Sequence, residues 1–304
     1  MKRRKPLLVL SAMILTLAAL MTMPVNAFAA TPMGTKPQPQ APSFLHLSGT
    51  RANVNPATVS NMTYHGGSVM GGTTNVYAIF WEPFGRVSAN YNFLITRYFN
   101  DVGGQPLYNN NAQYPDSTHV APLNTVLAGV WDDITSYPET PLLDRDIQQE
   151  VRTAQSVNGW SSSVHNVFFV FLDRGQDLCK DSSRTHCAST PFPNGFCGYH
   201  GAFGSTIYAA LPYDASFSCN PGSSPNHDDA DWTINVTSHE QMESATDPFG
   251  NAWFDSGGQE IGDKCNFVFG TRDSFGGDVN WGGDEYIVQK EWDNVVSGCV
   301  LVGP

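Results

Sequence analysis

Three short runs of apolar residues stand out along the chain. They cover residues 76–81, 167–172 and 206–211. Gly72 and Pro83 bracket the first run, and Pro212 closes the third. Apolar runs of this length between turn residues are typical of strands that are buried in a sheet. The pattern therefore predicts three buried strands, with the second one central.

Two further segments carry apolar residues at the spacing of a helix. From Tyr91 to Val102, and again from Ile147 to Ala154, apolar side chains recur every three or four residues. Gly159 follows the second segment and is a common helix stop. Both segments are predicted to be amphipathic helices.

A third helix is predicted from the residues that can start and end it. Asp231 can cap its first turn, and Pro248 disfavours the helical conformation at the residue before it. Strands and helices in this arrangement predict the α+β class. We expect a single domain over residues 63–304, built on a mixed sheet with disulfide-braced loops.

The N-terminal segment has the pattern of an export signal. Four basic residues at positions 2–5 precede an apolar stretch over residues 7–20, and small residues follow at positions 27 and 29. We expect a signal peptide over residues 1–29, cleaved after Ala29, with a membrane anchor as the alternative. Residues 30–62 are rich in Pro, Thr, Ser and Asn, which predicts a flexible linker or short pro-region.

The balance of charge excludes some classes of partner. The whole chain has 16 basic and 28 acidic side chains, and loss of residues 1–29 would remove four basic ones and leave a net charge of −16. A surface of that sign repels nucleic acid and anionic membranes. We expect no nucleic-acid partner, no membrane attachment after signal cleavage, and a secreted, extracellular or cell-wall-associated location.

The six cysteines all lie downstream of the predicted signal peptide. An even number in an exported chain predicts three disulfides, and the chain has no Cys-x-x-Cys pair that would indicate a metal or redox site. Sequence alone allows about 15 pairings. We expect the four cysteines from Cys179 to Cys219 to pair among themselves, which leaves Cys265 for Cys299.

The most informative motif is His-Glu-x-x-Glu within the third predicted helix. His239 and Glu243 are four residues apart, so they share one face and can converge on one ion. Glu240 lies beside them, where zinc peptidases with a His-Glu-x-x-His helix carry the general base. A carboxylate in place of the second histidine should weaken the pull of the metal on bound water. The alternative is a surface helix whose acids are solvated.

A zinc site of this kind needs a third protein ligand. The stretch before Cys265 offers two carboxylates, Glu260 and Asp263, the latter 24 residues after His239. We predict Asp263 as the third ligand, and Glu260 as its alternate or as a hydrogen-bonding partner of the ligands. The alternative is a turn in which both acids only cap backbone amides.

The order of these motifs resembles that of a known secreted family. The blocks are Tyr64-His65-Gly66-Gly67, Cys197-Gly198-Tyr199-His200, the His239 motif with Thr246-Asp247-Pro248, Asn251-Ala252-Trp253, Glu260-Ile261-Gly262-Asp263-x-Cys265 and Trp292-x-Asn294. Over residues 64–299 the chain resembles the EXORDIUM-like, phosphate-induced secreted proteins and their bacterial relatives. The resemblance implies secretion, and a helix and acidic loop similar to metallopeptidase sites. Plant members of that family are apoplastic or cell-wall proteins related to growth.

Peptide hydrolysis also needs a donor for the oxyanion that develops on the attacked carbonyl. His200 is the preferred candidate, with Tyr199 and Tyr286 as alternatives, because it lies in a Gly-flanked segment near the predicted strand 206–211. That strand is predicted to be an edge against which a substrate could pair. A hydrogen-bonded role in the core is the alternative for each of these side chains.

A glycine-rich stretch over residues 270–283 carries Asp273 and Asp278, and Asp284 and Glu285 follow it. Oxygen-rich loops can bind Ca²⁺, which makes calcium a second candidate cation, but the spacing of an EF-hand is missing. The alternative is a solvated loop of ordinary turn residues.

Together these features predict a secreted, zinc-dependent metallopeptidase-like hydrolase with a zincin-like fold. His239, Glu243 and Asp263 would hold Zn²⁺, with Glu240 as the base and an extracellular protein or peptide as the substrate. The main alternative is a non-catalytic cell-wall or carbohydrate-associated module whose metal is structural or absent. A glycosidase that uses Glu240 and another acid is a third hypothesis.

Overall fold

The computed structural model describes residues 60–304 except 192, 193 and 218. The predicted signal peptide, and the predicted linker as far as residue 59, lie outside the described residues. Among those that are described, no helix is long and apolar enough to cross a membrane.

Helices and strands both contribute to the described part of the chain, as predicted for the α+β class. The α-helices are α1 (Tyr91–Asp101), α2 (Pro106–Asn109), α3 (Asp144–Asn158) and α4 (Ala230–Thr246), and short 3-10 helices cover Asn110–Gln113, Asp214–Ser216 and Asp263–Cys265. The strands are β1 (Thr63–Tyr64), β2 (Gly72–Trp81), β3 (Pro122–Asp133), β4 (Leu142–Leu143), β5 (Asn166–Leu172), β6 (Leu178–Cys179), β7 (Tyr199–Phe203), β8 (Thr206–Leu211), β9 (Trp253–Phe254), β10 (Val279–Trp281), β11 (Asp284–Tyr286), β12 (Glu291–Asp293) and β13 (Gly298–Val300).

Five of the strands form a mixed sheet in the order β3-β2-β5-β8-β7. β2 runs parallel to β3 and β5, and β5 runs parallel to β8, whereas β7 is antiparallel to β8. The three predicted strands are therefore confirmed as parts of β2, β5 and β8, side by side in the middle of the sheet. The prediction that strand 206–211 forms an edge is wrong, because β7 pairs with the outer side of β8.

The side chains of the central strand β5 alternate between two apolar cores. One core receives Val167, Phe169 and Phe171, and the other receives Phe168, Val170 and Leu172. Helices α1, α2 and α4 pack on the first side of the sheet, and α3 packs on the second. Each buried side chain of this size contributes about 1.5–3 kcal/mol, so a strand that is apolar on both faces is most stable between two helical layers.

The two amphipathic helices form where the apolar spacing predicts them. α1 begins at Tyr91 and buries Leu94, while α3 buries Ile147 and Val151. Gly159 follows α3 with a φ of 69°, the left-handed conformation that glycine adopts without strain. Both helices are confirmed.

Helix α4 is buried around its whole circumference. Apart from Trp232, every residue of α4 is buried. A helix of this kind brings polar as well as apolar side chains into the interior, where the polar ones need partners. The His-Glu-x-x-Glu motif therefore lies inside the molecule, and the alternative of a solvated surface helix is wrong.

Three disulfides brace the loops around the sheet. They join Cys179 to Cys187, Cys197 to Cys219, and Cys265 to Cys299. The predicted pairing is confirmed in both of its parts. The third bond ties the acidic loop at residues 260–265 to β13. Disulfides persist in oxidising compartments, so these bonds are compatible with an extracellular protein.

Candidate metal centre

Two of the predicted ligands come from one face of α4. His239 and Glu243 are one helical turn apart, and Nε2 of His239 lies 2.9 Å from Oε1 of Glu243. Neither side chain has any exposed surface. Two ligands that each lie about 2.1 Å from a cation, at angles of about 90–110°, are about 3–3.4 Å apart. This pair therefore has close to the spacing of neighbouring metal ligands.

The acidic loop after β9 supplies the third predicted ligand. Oδ1 of Asp263 lies 3.9 Å from Nε2 of His239, and the backbone N–H of Asp263 donates to Oε1 of Glu243 over 3.1 Å. Ligand atoms from these three residues all lie within 4.8 Å of one another. The structure thus brings the three residues together in the fold.

Gln289 and Gly262 hold this loop against α4. The side-chain amide of Gln289 donates to the carbonyl oxygen of Gly262, and its backbone N–H donates to Oδ1 of Asn235 on α4. Gly262 packs so closely on the ring of His239 that a Cβ there would lie 2.6 Å from Nδ1. A side chain at position 262 would therefore push the imidazole out of place.

His200 reaches the same cluster from β7. Its Nδ1 lies 3.4 Å from Oε2 of Glu240 and 3.6 Å from Oε2 of Glu243. Its Nε2 lies 3.2 Å from the carbonyl oxygen of Asp247 and 3.7 Å from Oε1 of Glu260. His200, Glu240 and Glu243 form a second group whose ligand atoms lie within 4.8 Å of one another. Glu260 is thus a neighbour of His200.

Several polar atoms of the cluster have no hydrogen-bond partner among the described residues. They are both ring nitrogens of His239, Nδ1 of His200, both carboxylate oxygens of Glu240, Oε1 of Glu260 and Oδ1 of Asp263. A buried polar atom left without a partner costs about 1–3 kcal/mol. Because native proteins rarely leave so many such atoms together, the arrangement fits a cation that the lone pairs would share.

The cluster also concentrates negative charge in the interior. Burial raises the pKa of Glu260 and of Asp263 well above the ordinary range, and the carboxylate of Glu243 adds to the effect. Burial also disfavours the charged imidazoles, but the surrounding carboxylates more than offset it and raise the pKa of His200 and His239. Without a cation, protons must neutralise part of this charge, and a cation would displace them.

Two further charged groups border the cluster and were not recognised in the sequence. Glu291 on β12 is fully buried, and neither of its carboxylate oxygens has a hydrogen-bond partner within the described part of the chain. Burial raises its pKa well above the ordinary value, while His239 opposes the shift. Burial lowers the pKa of Lys180 to about 8, and Glu240 opposes that shift.

The two tyrosines considered as oxyanion donors are bonded elsewhere. The hydroxyl of Tyr199 donates to Oδ1 of Asp144 over 2.8 Å, and that of Tyr286 donates to Oδ2 of Asp101 over 2.6 Å. Of the three candidates, His200 is the one that lies in the cluster.

The aspartates in and just after the glycine-rich stretch either accept hydrogen bonds that stabilise turns or form an ion pair. Asp273 accepts hydrogen bonds from the backbone N–H groups of residues 275–277, and Asp278 accepts them from residues 270 and 288. Asp284 pairs with Arg97 at 2.9 Å. Within residues 60–304, as far as they are described, these acids do not form a group able to hold an ion. Calcium binding by this stretch stays a prediction.

No protein-family model, curated protein or solved structure matches this chain. The resemblance to the EXORDIUM-like family therefore stays a prediction, and the function has to be inferred from the site.

Proposed function

We propose that this protein is a secreted, zinc-dependent hydrolase with a zincin-like domain that cleaves peptide bonds in extracellular proteins or peptides. The observation that carries the proposal is the convergence of His239, Glu243 and Asp263, with Glu240 on the same helix. The mixed sheet, with the motif helix packed on one face, supports the zincin-like part of the proposal.

One histidine and two carboxylates are a donor set that Zn²⁺ accepts. Zinc held there would polarise the attacked carbonyl group and lower the pKa of a water molecule. A set of one histidine and two carboxylates leaves less positive charge on the cation than a set of two histidines and one carboxylate does. We therefore expect a less acidic water, and a higher pH optimum, than in a His-Glu-x-x-His site.

Glu240 would take the proton from this water. Burial raises the pKa of its carboxyl group, while His200 and His239 oppose the shift. A base with a raised pKa accepts protons more readily near neutral pH. His200, whose Nδ1 is 3.4 Å away, would hold the carboxylate in position. β7, which carries His200 at the edge of the sheet, replaces β8 as the strand against which a substrate would pair.

Complete burial favours a second candidate, the non-catalytic cell-wall or carbohydrate-associated module. The side chains of His200, His239, Glu240 and Glu243 have no exposed surface, and that of Asp263 is 7% exposed. Structural metal sites are closed in this way, whereas catalytic sites keep one position open to water and substrate. In a module of this kind, the cation would stabilise the packing of α4 against the acidic loop.

Zinc content and peptide cleavage, measured on one preparation, separate the two candidates. We expect the purified protein to contain zinc, to cleave casein and to lose cleavage when a chelator is added. Glu240→Gln should lower the cleavage rate by at least about a hundredfold, the range of a lost general base. Glu285→Gln, which changes a partly exposed carboxyl group on β11, is the matched control.

Cleavage by Glu240→Gln at the wild-type rate would show that the assignment of the base is wrong. One equivalent of bound zinc without cleavage in the wild type would favour the structural module.

A further inference from the structure

We propose that the cluster binds two divalent cations and that Glu243 bridges them, with one oxygen to each. The first cation is that of the proposed function, on which this inference rests, and it lies between His239, Glu243 and Asp263. The second is held by His200, Glu240 and the other oxygen of Glu243.

The two oxygens of Glu243 face different histidines. Oε1 lies 2.9 Å from Nε2 of His239, whereas Oε2 lies 3.6 Å from Nδ1 of His200. A bridging carboxylate presents one oxygen to each metal, and paired cations in enzymes lie about 3.5–4 Å apart. Glu243 is the residue that the two groups of ligand atoms have in common.

The hydrogen bond of His200 leaves the appropriate nitrogen available to a metal. Nε2 lies 3.2 Å from the carbonyl oxygen of Asp247, and a carbonyl can only accept, so Nε2 carries the hydrogen. The neutral imidazole then has its lone pair on Nδ1, the atom that faces Glu240 and Glu243. Histidines that bind metals are typically oriented by such a bond from the other ring nitrogen.

The second group has unsatisfied buried atoms of its own. Nδ1 of His200 and both oxygens of Glu240 have no hydrogen-bond partner in the described part of the chain, and both side chains are fully buried. These atoms are distinct from those of His239 and Asp263 that the first cation engages. One cation at the first position would leave them unsatisfied.

The charge of the cluster also favours a second cation. The carboxylates of Glu240, Glu243, Glu260 and Asp263 lie together in the interior. One divalent cation balances the charge of two carboxylates, which leaves two of these four, and the buried Glu291 beside them, without compensation. Because uncompensated buried charge is costly, two cations fit this interior better than one.

Occupancy of the second position changes the role of Glu240. A carboxylate that binds the second cation is a weaker base, so Glu240 would take the proton from the water at the first cation less readily. The protein with one zinc is then the active hydrolase, and the second zinc lowers the rate. Cleavage should therefore rise and then fall as zinc is added to the metal-depleted protein.

Zinc titration of the metal-depleted protein tests the second position without reference to activity. We expect the wild type to bind about two equivalents, and Glu240→Gln and His200→Asn to bind about one. His165→Asn, which replaces an exposed histidine, should still bind about two. Glu240→Gln keeps the shape of the side chain, so it decides the question if His200→Asn does not fold.

Loading with Co²⁺ tests the bridge. Two cobalt ions joined by Glu243 should couple magnetically, so the paramagnetic resonance signal per cobalt should fall as the second equivalent binds. A signal that grows in proportion to bound cobalt would rule out the bridge.

Binding of a single equivalent by the wild type, unchanged in Glu240→Gln, would overturn the proposal. Binding of two equivalents, with no peptide cleavage at any zinc-to-protein ratio in the titration, would leave the second cation in place and remove the hydrolase. If the wild type cleaves peptides but binds only one equivalent of zinc, and Glu240→Gln also binds one, the hydrolase stands and the second cation is ruled out.

Discussion

Nε2 of His239 lies 2.9 Å from Oε1 of Glu243, one turn further along α4, and neither side chain has any exposed surface. Despite this short distance, neither ring nitrogen of His239 has a hydrogen-bond partner in the described structure. A ring nitrogen and a carboxylate oxygen this close need a proton or a metal cation between them, and a cation that binds there displaces the proton. Metal binding should therefore contribute directly to the stability of the fold.

Zinc should raise the free energy of unfolding of the wild type, and raise that of His239→Asn by less, because the variant lacks a ligand of the first cation. A ligand that binds only the folded state adds about 2.7 kcal/mol when its concentration is about 100 times the dissociation constant. Thermal unfolding followed by circular dichroism, with and without zinc, measures the difference. His165→Asn is the control, and an equal shift in His239→Asn would mean that the zinc binds elsewhere.

Gly262→Ala should weaken zinc binding even though position 262 offers no ligand atom. The added Cβ would lie 2.6 Å from Nδ1 of His239, so the ring has to move. We expect the overpacking to cost about 1–3 kcal/mol of stability and the moved ring to lower zinc affinity about tenfold or more. Competition with a chelator measures the affinity. Gly298→Ala is the matched control, because its Cβ would meet no atom closer than 3.9 Å. Equal losses in the two variants would contradict this explanation.

Removal of the Cys265–Cys299 bond should lower both stability and zinc affinity. The bond joins residues 34 positions apart, against 8 for Cys179–Cys187. When both cysteines of a pair are replaced by serine, loop entropy alone lowers the free energy of unfolding. The loss is about 4 kcal/mol for Cys265–Cys299 and about 2.5 kcal/mol for Cys179–Cys187.

The longer bond also holds the loop that carries Asp263, so its loss should weaken zinc binding more than loss of the shorter one. Denaturant unfolding and zinc competition on both double variants check the two effects. Equal zinc affinities would show that the bond does not position Asp263.

A separate pH dependence should come from Glu150 on α3. Burial, together with the neighbouring charge of Asp133, raises the pKa of its carboxyl group from the ordinary 4.5 to about 8. The unfolded chain ionises this group first, so its contribution to the free energy of unfolding falls as the pH rises between those two values.

Glu150→Gln removes this loss. Relative to the wild type, the variant should gain about 4–5 kcal/mol between pH 4 and pH 9. Urea unfolding at the two pH values measures the gain, and a stability difference independent of pH would contradict the assignment.

Three strands of the sheet and two of the helices could be predicted because burial leaves a pattern of apolar residues in the sequence. Continuous apolar runs located β2, β5 and β8, and a helical repeat located α1 and α3. β7 has neither pattern, since its five residues include His200 and Gly201. Its place at the edge depends on antiparallel pairing with β8, which is a tertiary contact, and this is why the edge was assigned to the wrong strand.

The candidate site was predictable only where its residues are close in sequence or carry a motif. His239 and Glu243 follow from helical geometry, and Asp263 follows from the need for a third ligand. Glu291 enters the site because β12 lies against the acidic loop, with the backbone N–H of Trp292 donating to the carbonyl oxygen of Ile261. No local pattern encodes a contact of that kind. The full burial of α4 was also hidden, because a helix buried on all sides has no amphipathic stripe.

The claim that His239, Glu243 and Asp263 form a metal centre is tested most directly by X-ray absorption at the zinc edge of the zinc-loaded protein. We expect a shell of nitrogen and oxygen ligands at about 2.0–2.2 Å, with imidazole scattering that is weaker in His239→Asn. Zinc–sulfur bonds of about 2.3 Å, or a spectrum that His239→Asn leaves unchanged, would contradict the claim.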